Sequence, residues 1–375
     1  MPNLVAPLIA KFQQKIGTGD FTPTIEALFR EYFPHRQQRA IFNPRATSVG
    51  FNNYPLTGFG LRVDRDSQCN AQFELIYPNS GDRLKLLGSV NFDDPEELLH
   101  GSLSLLRLLN REFTNDITSI DLSGNALGRR HRESSIFSKD FCALLHDAPR
   151  SLRVLDLGNN ELHQADTPLS HFLSEIPDHV SDIRLNINGL GLLPPREFCL
   201  KGLSQQLTKL DLESNRLGER LMTACEYFPA SLLELKLGRN NAHLLSTMQL
   251  IKLLSSLPDH LQKLDLSYNK LDFTLFSTEV LNAFFRSLPY TLLSLDLRGN
   301  EINDDAIRAM LPFIATSKLT EVLVIKSFLS KEVCNELNAA IKGNQVKPNP
   351  HAFFGSFENS QSRVCDAEDQ PVYAP

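Results

Sequence analysis

The sequence lacks most of what would tie a chain to a membrane, a nucleic acid or a metal. No apolar run approaches the ~18 residues that a spanning helix needs, so no membrane insertion is expected. A basic excess is missing as well: 38 lysines and arginines face 44 aspartates and glutamates, for a net charge of −6. A nucleic-acid binder needs a basic field to neutralise phosphates, and anionic lipid attracts proteins by the same means, so neither partner is expected. Cys69, Cys142, Cys199, Cys225, Cys334 and Cys365 lie far apart with no C-x-x-C spacing. That pattern predicts reduced thiols in a cytosol rather than a disulfide framework or a zinc site. The apolar stretch at residues 4–10 has no basic residues before it and is interrupted by Pro7, which makes a poor signal peptide.

Catalytic frames are missing too. No G-x-S-x-G, P-loop, G-x-G-x-x-G or H-E-x-x-H occurs, so no enzyme, cofactor or metal site is expected. Asp178-His179 and Asp259-His260 have the look of acid–base dyads, but they lie 81 residues apart at the same place in a repeat. Position in the repeat accounts for them.

That repeat is the dominant feature. The frame L-x-x-L-x-L-x-x-N-x-L recurs as ITSIDLSGNAL from Ile117, LRVLDLGNNEL from Leu152, VSDIRLNINGL from Val180 and LTKLDLESNRL from Leu207. It continues as LLELKLGRNNA from Leu232, LQKLDLSYNKL from Leu261 and LLSLDLRGNEI from Leu292. An eighth copy, LTEVLVIKSFL from Leu319, keeps the apolar frame but has Ser327 in place of the asparagine.

Side chains alternate along a strand, so the L-x-L pair is a short strand with both leucines on one face. Stacked copies build a parallel sheet over one core. Asn125, Asn160, Asn188, Asn215, Asn240, Asn269 and Asn300 stand where the chain leaves the strand. A carboxamide carries a donor and an acceptor, so these residues are read as a structural ladder that satisfies the turning backbone. The stretches TMQLIKLL (247–254) and TEVLNAFF (278–285) place apolar residues at helical spacing. Pro149, Pro177, Pro229, Pro258 and Pro289 each precede a frame by three residues and stop the helix before it.

These residues resemble the leucine-rich-repeat superfamily, and the helix-bearing repeats look like its ribonuclease-inhibitor-like class. The phrase LPDHLQKLDL from Leu257 is also similar to leucine-rich-repeat effectors that intracellular bacterial pathogens inject into host cells. The resemblance covers about residues 114–342. It implies a right-handed α/β solenoid, a horseshoe with a concave parallel sheet and convex helices.

The ends differ. Residues 1–113 predict a short amphipathic helix at 23–33, strands at 57–63, 71–77 and 84–90, and a helix from 94 to 111 with acidic residues in its first turn. They are read as a small α+β cap on the array, with a separately functioning domain as the other reading. A last helix is expected over 330–342, and 343–375 is polar and turn-rich, a flexible tail.

Function follows from the surface. A rigid array without convergent catalytic groups is expected to bind a protein partner through its concave face. Between the strand leucines lie Asp121, Asp156, Arg184, Asp211, Lys236, Asp265 and Asp296, with Asp182, Lys209, Glu213, Glu234, Lys263 and Arg298 in neighbouring columns. This is either a solvated charged stripe or a groove patterned to select a partner. Arg239 and Tyr268, beside ladder asparagines, are of the types enriched among interface anchors. The basic stretch 128–132 is a solvated loop or a grip for an acidic partner. The effector resemblance implies a cytosolic protein translocated into a host cell and acting in virulence. The rival expectation is an enzyme or ubiquitin-ligase-recruiting adaptor with its activity in residues 1–113 and the repeats as its recognition arm.

Overall fold

The computed structural model describes residues 150–325 and 329–345 without a break, and 59–65, 70–76, 83–85, 90–91, 117–124, 127–128, 130–131, 134–135, 145 and 148 before them. The expected helices at 23–33 and 94–111, Asn125, Ser327, Pro149 and all of the tail beyond Gln345 lie outside the described residues. The chain forms two compact units, Met1–Asn188 and Gly189–Pro375.

In the first unit, β1 (Phe59–Arg65), β2 (Asn70–Ile76) and β3 (Arg83–Lys85) pair antiparallel in that order, and β4 (Val90–Asn91) also pairs with β2. Two of the expected strands are there; the third is divided between β3 and β4. β1 also runs parallel to β5 (Ile117–Asp121), the first repeat strand, so the sheet passes unbroken from the N-terminal region into the repeats. β6 (Arg130–His131) and β7 (Ser134–Ser135) make a separate antiparallel pair within and beyond the basic stretch. β8 (Val154–Asp156) and β9 (Asp182–Arg184) extend the parallel part of the sheet. Ile120, Leu122, Leu155, Leu157, Ile183 and Leu185 are buried, as is Phe172 of α1 (Leu169–Glu175).

The second unit holds β10 (Lys209–Asp211), β11 (Glu234–Lys236), β12 (Lys263–Asp265), β13 (Ser294–Asp296) and β14 (Glu321–Leu323), all parallel. Their register aligns Leu210, Leu235, Leu264, Leu295 and Val322 as one buried row. Outside the sheet run α2 (Leu221–Ala224), α3 (Thr247–Ser255), α4 (Thr278–Arg286), α5 (Asp304–Thr316) and α6 (Lys331–Gln345). Removing one of these core leucines costs ~2–5 kcal/mol through lost transfer energy and the cavity left behind.

Local chemistry sets where the helices begin and end. Gln249 N–H donates to Ser246 Oγ (3.3 Å) and Ser246 N–H donates to Gln249 Oε1 (2.9 Å), a capping box that starts α3. Val280 N–H donates to Ser277 Oγ (3.4 Å) at α4, and Ala306 N–H to Asn303 Oδ1 (2.9 Å) at α5. The prolines do more than stop helices. Val180, Leu232, Leu261 and Leu292, the first frame residues, donate their N–H to the carbonyls of Pro177, Pro229, Pro258 and Pro289 at 3.0–3.2 Å. Each proline thus opens the tight turn that delivers the chain to the next strand.

Two expectations need correcting. The convex side is not helical in every repeat: between Leu190 and Thr208 there is only the 3-10 turn Leu190–Leu192. Glu197 and Phe198 donate their N–H to the Pro194 carbonyl (2.8 and 3.1 Å), a single turn that does not continue into a helix. The last helix also runs past the expected boundary at 342, so the tail does not begin at 343. Asn344, buried, donates to the carbonyls of Ile314 (2.7 Å) and Leu319 (2.8 Å), which holds the final turn of α6 against the end of the core.

The asparagine ladder runs within each unit. In the first unit, Asn160 N–H donates to Asn188 Oδ1 (2.8 Å), while Asn188 Nδ2 donates to the Leu157 and Leu185 carbonyls (2.9 and 3.0 Å). In the second, Asn215, Asn240 and Asn269 donate their N–H to Oδ1 of Asn240 (3.1 Å), Asn269 (2.9 Å) and Asn300 (3.2 Å). The residues on both sides of a rung adopt left-handed backbone: Asn159 and Glu161, Ser214 and Arg216, Arg239 and Asn241, Tyr268 and Lys270. That double reversal turns the carboxamide inward. It costs about 1–2 kcal/mol for each side chain that is not glycine, and the ladder bonds offset it.

Candidate binding surface

The outward residue between the strand leucines is aspartate in five described repeats, and each aspartate has the same local task. Oδ1 of Asp121, Asp156, Asp211, Asp265 and Asp296 accepts the N–H of the residue two further on, at 2.7–3.0 Å. The column is therefore first a device for ending the strand, since the N–H it accepts would otherwise point outward without a partner. Nor is it evenly exposed: Asp296 is 7% exposed, beneath the Arg298 guanidinium, which grips it with Nε to Oδ1 (3.0 Å) and Nη2 to Oδ2 (2.6 Å).

In the first unit, Arg184 bridges Asp156 (3.3 Å) and Asp182 (3.5 Å). Burial raises the Asp156 carboxyl above its ordinary range, and nearby Asp121 adds to that, against the Gly158 N–H and Arg184. Burial works against the Arg184 charge, but Asp182 and Asp156 outweigh it and keep the guanidinium firmly protonated.

The second unit carries a denser lattice. Lys209 and Lys263 approach Glu234 from either side at 3.8 and 3.9 Å. Lys236 meets Asp211 at 3.2 Å and Arg239 meets Glu213 at 3.5 Å. Burial would lower the Lys236 ammonium, yet Asp211, Glu234 and Glu213 hold it above its usual value. Glu213 is raised by burial and by Asp265 and Asp211. Burial raises Asp265 too, against the bonds from Ser267. Hydrogen-bonding to Asp296 raises Arg298 in turn. The face thus alternates sign, each of its bases held by a carboxylate.

At the strand ends, Arg239 lies over the Tyr268 ring with its guanidinium carbon 4.2 Å from the centroid. The ring in turn covers Gly299: a methyl group there would fall 2.3 Å from Tyr268 Cδ1, and the backbone is left-handed (φ +68). Only glycine fits both demands. The structure so brings together Glu213, Arg239, Tyr268 and Gly299, two of which the sequence had singled out as anchors.

Sequence reasoning missed the apolar exposure. Leu192, Leu244, Met248 and Leu275 are 55%, 55%, 74% and 79% exposed. The three leucines each close a 3-10 turn, Leu190–Leu192, Ala242–Leu244 and Phe273–Leu275. A leucine beside a leucine frame reads as core; only its place after the ladder asparagine distinguishes it.

Among the described residues no group of histidines, cysteines and acids is arranged to hold a metal ion, and no helix is long and apolar enough to cross a membrane. Cys199, Cys225 and Cys334 are free thiols.

Comparison with known proteins agrees on the repeat. Leucine-rich-repeat family models match residues 260–286 and 291–311. No curated protein matches the sequence. Among solved structures, the chain is similar to the leucine-rich repeat-containing protein LegL7 from Legionella pneumophila, with 21% identity and a TM-score of 0.46 over 70% of this chain and 96% of that one. It is also similar to the tropomodulin C-terminal domain from Caenorhabditis elegans, with 18% identity and a TM-score of 0.27 over 34% of this chain and 77% of that one. Frame, parallel strands, ladder and matched repeats agree on an α/β leucine-rich-repeat fold for the described repeats.

Proposed function

We propose that the chain acts by binding a protein through the outward face of β10–β14 and the loops that follow, rather than by turning over a substrate. The observation that carries this reading is the charge lattice. Bases and acids of alternating sign are fixed in register on a parallel sheet, so a complementary partner meets charges already in place.

The test uses Lys209→Glu with Lys263→Glu. Both side chains are more than half exposed and pair only loosely with Glu234, so the fold survives. Reversal at Arg184, Lys236 and Arg298 is less suitable, because a carboxylate at 298 would face buried Asp296. A protein captured from eukaryotic cytosol by the unaltered chain and lost by the variant supports the reading. Equal capture by both removes the strand face from it.

We place this binding in the cytosol of a host cell reached by translocation, as a bacterial effector, on the strength of the phrase LPDHLQKLDL. Deleting 346–375, beyond the last helix, tests a secretion signal there. Loss of delivery in a translocation reporter assay supports the signal; undiminished delivery refutes it.

A further inference from the structure

In the second unit each strand is tied by hydrogen bonds to the repeat that follows it. The carbonyl of the second frame residue accepts two N–H groups from that repeat. Thr208 takes those of Leu233 and Glu234, Leu233 those of Gln262 and Lys263, Gln262 those of Leu293 and Ser294, and Leu293 those of Thr320 and Glu321, all at 2.7–3.0 Å. The carbonyl of the first frame residue receives a hydroxyl in two repeats, Leu207 from Ser231 Oγ (2.6 Å) and Leu261 from Thr291 Oγ1 (2.8 Å). Further along, Leu212, Leu237, Leu266 and Leu297 each donate an N–H to the next strand at 2.8–2.9 Å.

Among the described residues no strand follows β14, and the last turn of α6 supplies part of what one would give. Gln345 Nε2 donates to the Thr320 carbonyl (3.2 Å), at the second frame position, and Asn344 Nδ2 to the Leu319 carbonyl (2.8 Å), at the first. Two carboxamides thus imitate a further repeat at the start of the β14 edge. The imitation stops there. Val324, the counterpart of Leu297, is buried, and among the described residues its N–H has no partner. A strand edge that keeps an open donor is a template for another strand.

We propose that Asn344 and Gln345 form a stop that keeps a second copy of this chain off the β14 edge. The edge is complementary to itself. In an antiparallel pair about a two-fold axis through Val322, residues 320 and 324 stand opposite each other. The open Val324 N–H of each copy then meets the Thr320 carbonyl of the other, and that carbonyl is the group Gln345 occupies. With the stop in place the acceptor is taken and the pair does not close. β14 lies two strands beyond Lys263, so this inference goes beyond the strand-face reading and does not depend on it.

The experiment compares the full chain with Asn344→Leu plus Gln345→Ala, which keeps bulk at the buried position and removes both donors. Light scattering over a concentration series should show the variant rising to twice the mass of the unaltered chain. Hydrogen exchange at residues 320–324 should slow in the variant as concentration rises, which fraying of α6 alone does not produce. Gln345→Lys keeps a donor at the exposed position and should hold the mass of the unaltered chain. Should the double variant lose its circular dichroism signal, Gln345→Ala carries the same test. A folded variant that stays at the mass of the unaltered chain overturns the inference, as does association with unchanged exchange at 320–324. An unaltered chain whose exchange at 320–324 already slows with concentration overturns it too, because the stop then stops nothing.

Discussion

Replacing Asn240 by alanine removes a rung whose partners are all on the same side of the energy balance. Its side chain is completely buried. Nδ2 donates to the carbonyls of Leu212 (2.8 Å) and Gly238 (3.1 Å), and Oδ1 accepts from the N–H of Asn215 (3.1 Å) and, more weakly, of Leu217 (3.3 Å). The Leu212 carbonyl keeps a second donor, Asn215 Nδ2 at 2.9 Å, so its loss is partial. Buried polar groups that lose a partner in this way cost about 1–3 kcal/mol. That is a large share of the ~5–15 kcal/mol that holds a domain folded. Asn240→Asp is the sharper control, since it keeps the acceptor, removes the donor and adds a charge where water cannot reach. Urea unfolding followed by circular dichroism reads both variants. A loss below about 0.5 kcal/mol in Asn240→Ala, the range of an ordinary surface substitution, refutes the ladder argument.

Three further outcomes follow from the same geometry. Asp265→Asn keeps an oxygen for the Ser267 N–H and removes a carboxylate whose native pKa is raised by burial. A raised native value means that the folded state binds more protons between that value and the ordinary carboxylate one, so stability falls as pH rises through this window. The variant should gain thermal stability at neutral pH, and the gain should vanish on mild acidification; a variant less stable at neutral pH contradicts this. Arg298→Ala strips the cover from Asp296 and should cost more than Lys263→Ala, whose pair is exposed, so equal urea midpoints count against the reading. Gly299→Ala meets both a positive φ and the Tyr268 ring and should destabilise by about 1–3 kcal/mol. Adding Tyr268→Ala should return the part of that loss that comes from the clash.

Much of this fold is legible in the amino acids because its energetics repeat. Leucine at period 2 followed by asparagine has one physical solution, and the apolar spacing of 247–254 and 278–285 placed α3 and α4 within a residue. The aspartate column was legible as charge but not as a strand-ending acceptor, since the bond goes to a backbone N–H that every residue carries. The cover of Arg298 over Asp296 follows from period 2 once the strand is known, because residues two apart share a face. Asn344 and the exposed leucines stayed hidden for the opposite reason. Asparagine in a helix and leucine beside a leucine frame carry strong expectations, and here the tertiary position overrides them.

The most direct test of the central claim is site-specific photo-crosslinking in eukaryotic cytosol, with a photoreactive residue at 263 on the strand face, at 244 in the loop after β11, or at 286 at the end of α4. The account predicts one protein adduct shared by positions 263 and 244 and none at 286. Adducts of equal yield at all three positions, or an adduct at 286 alone, would contradict it.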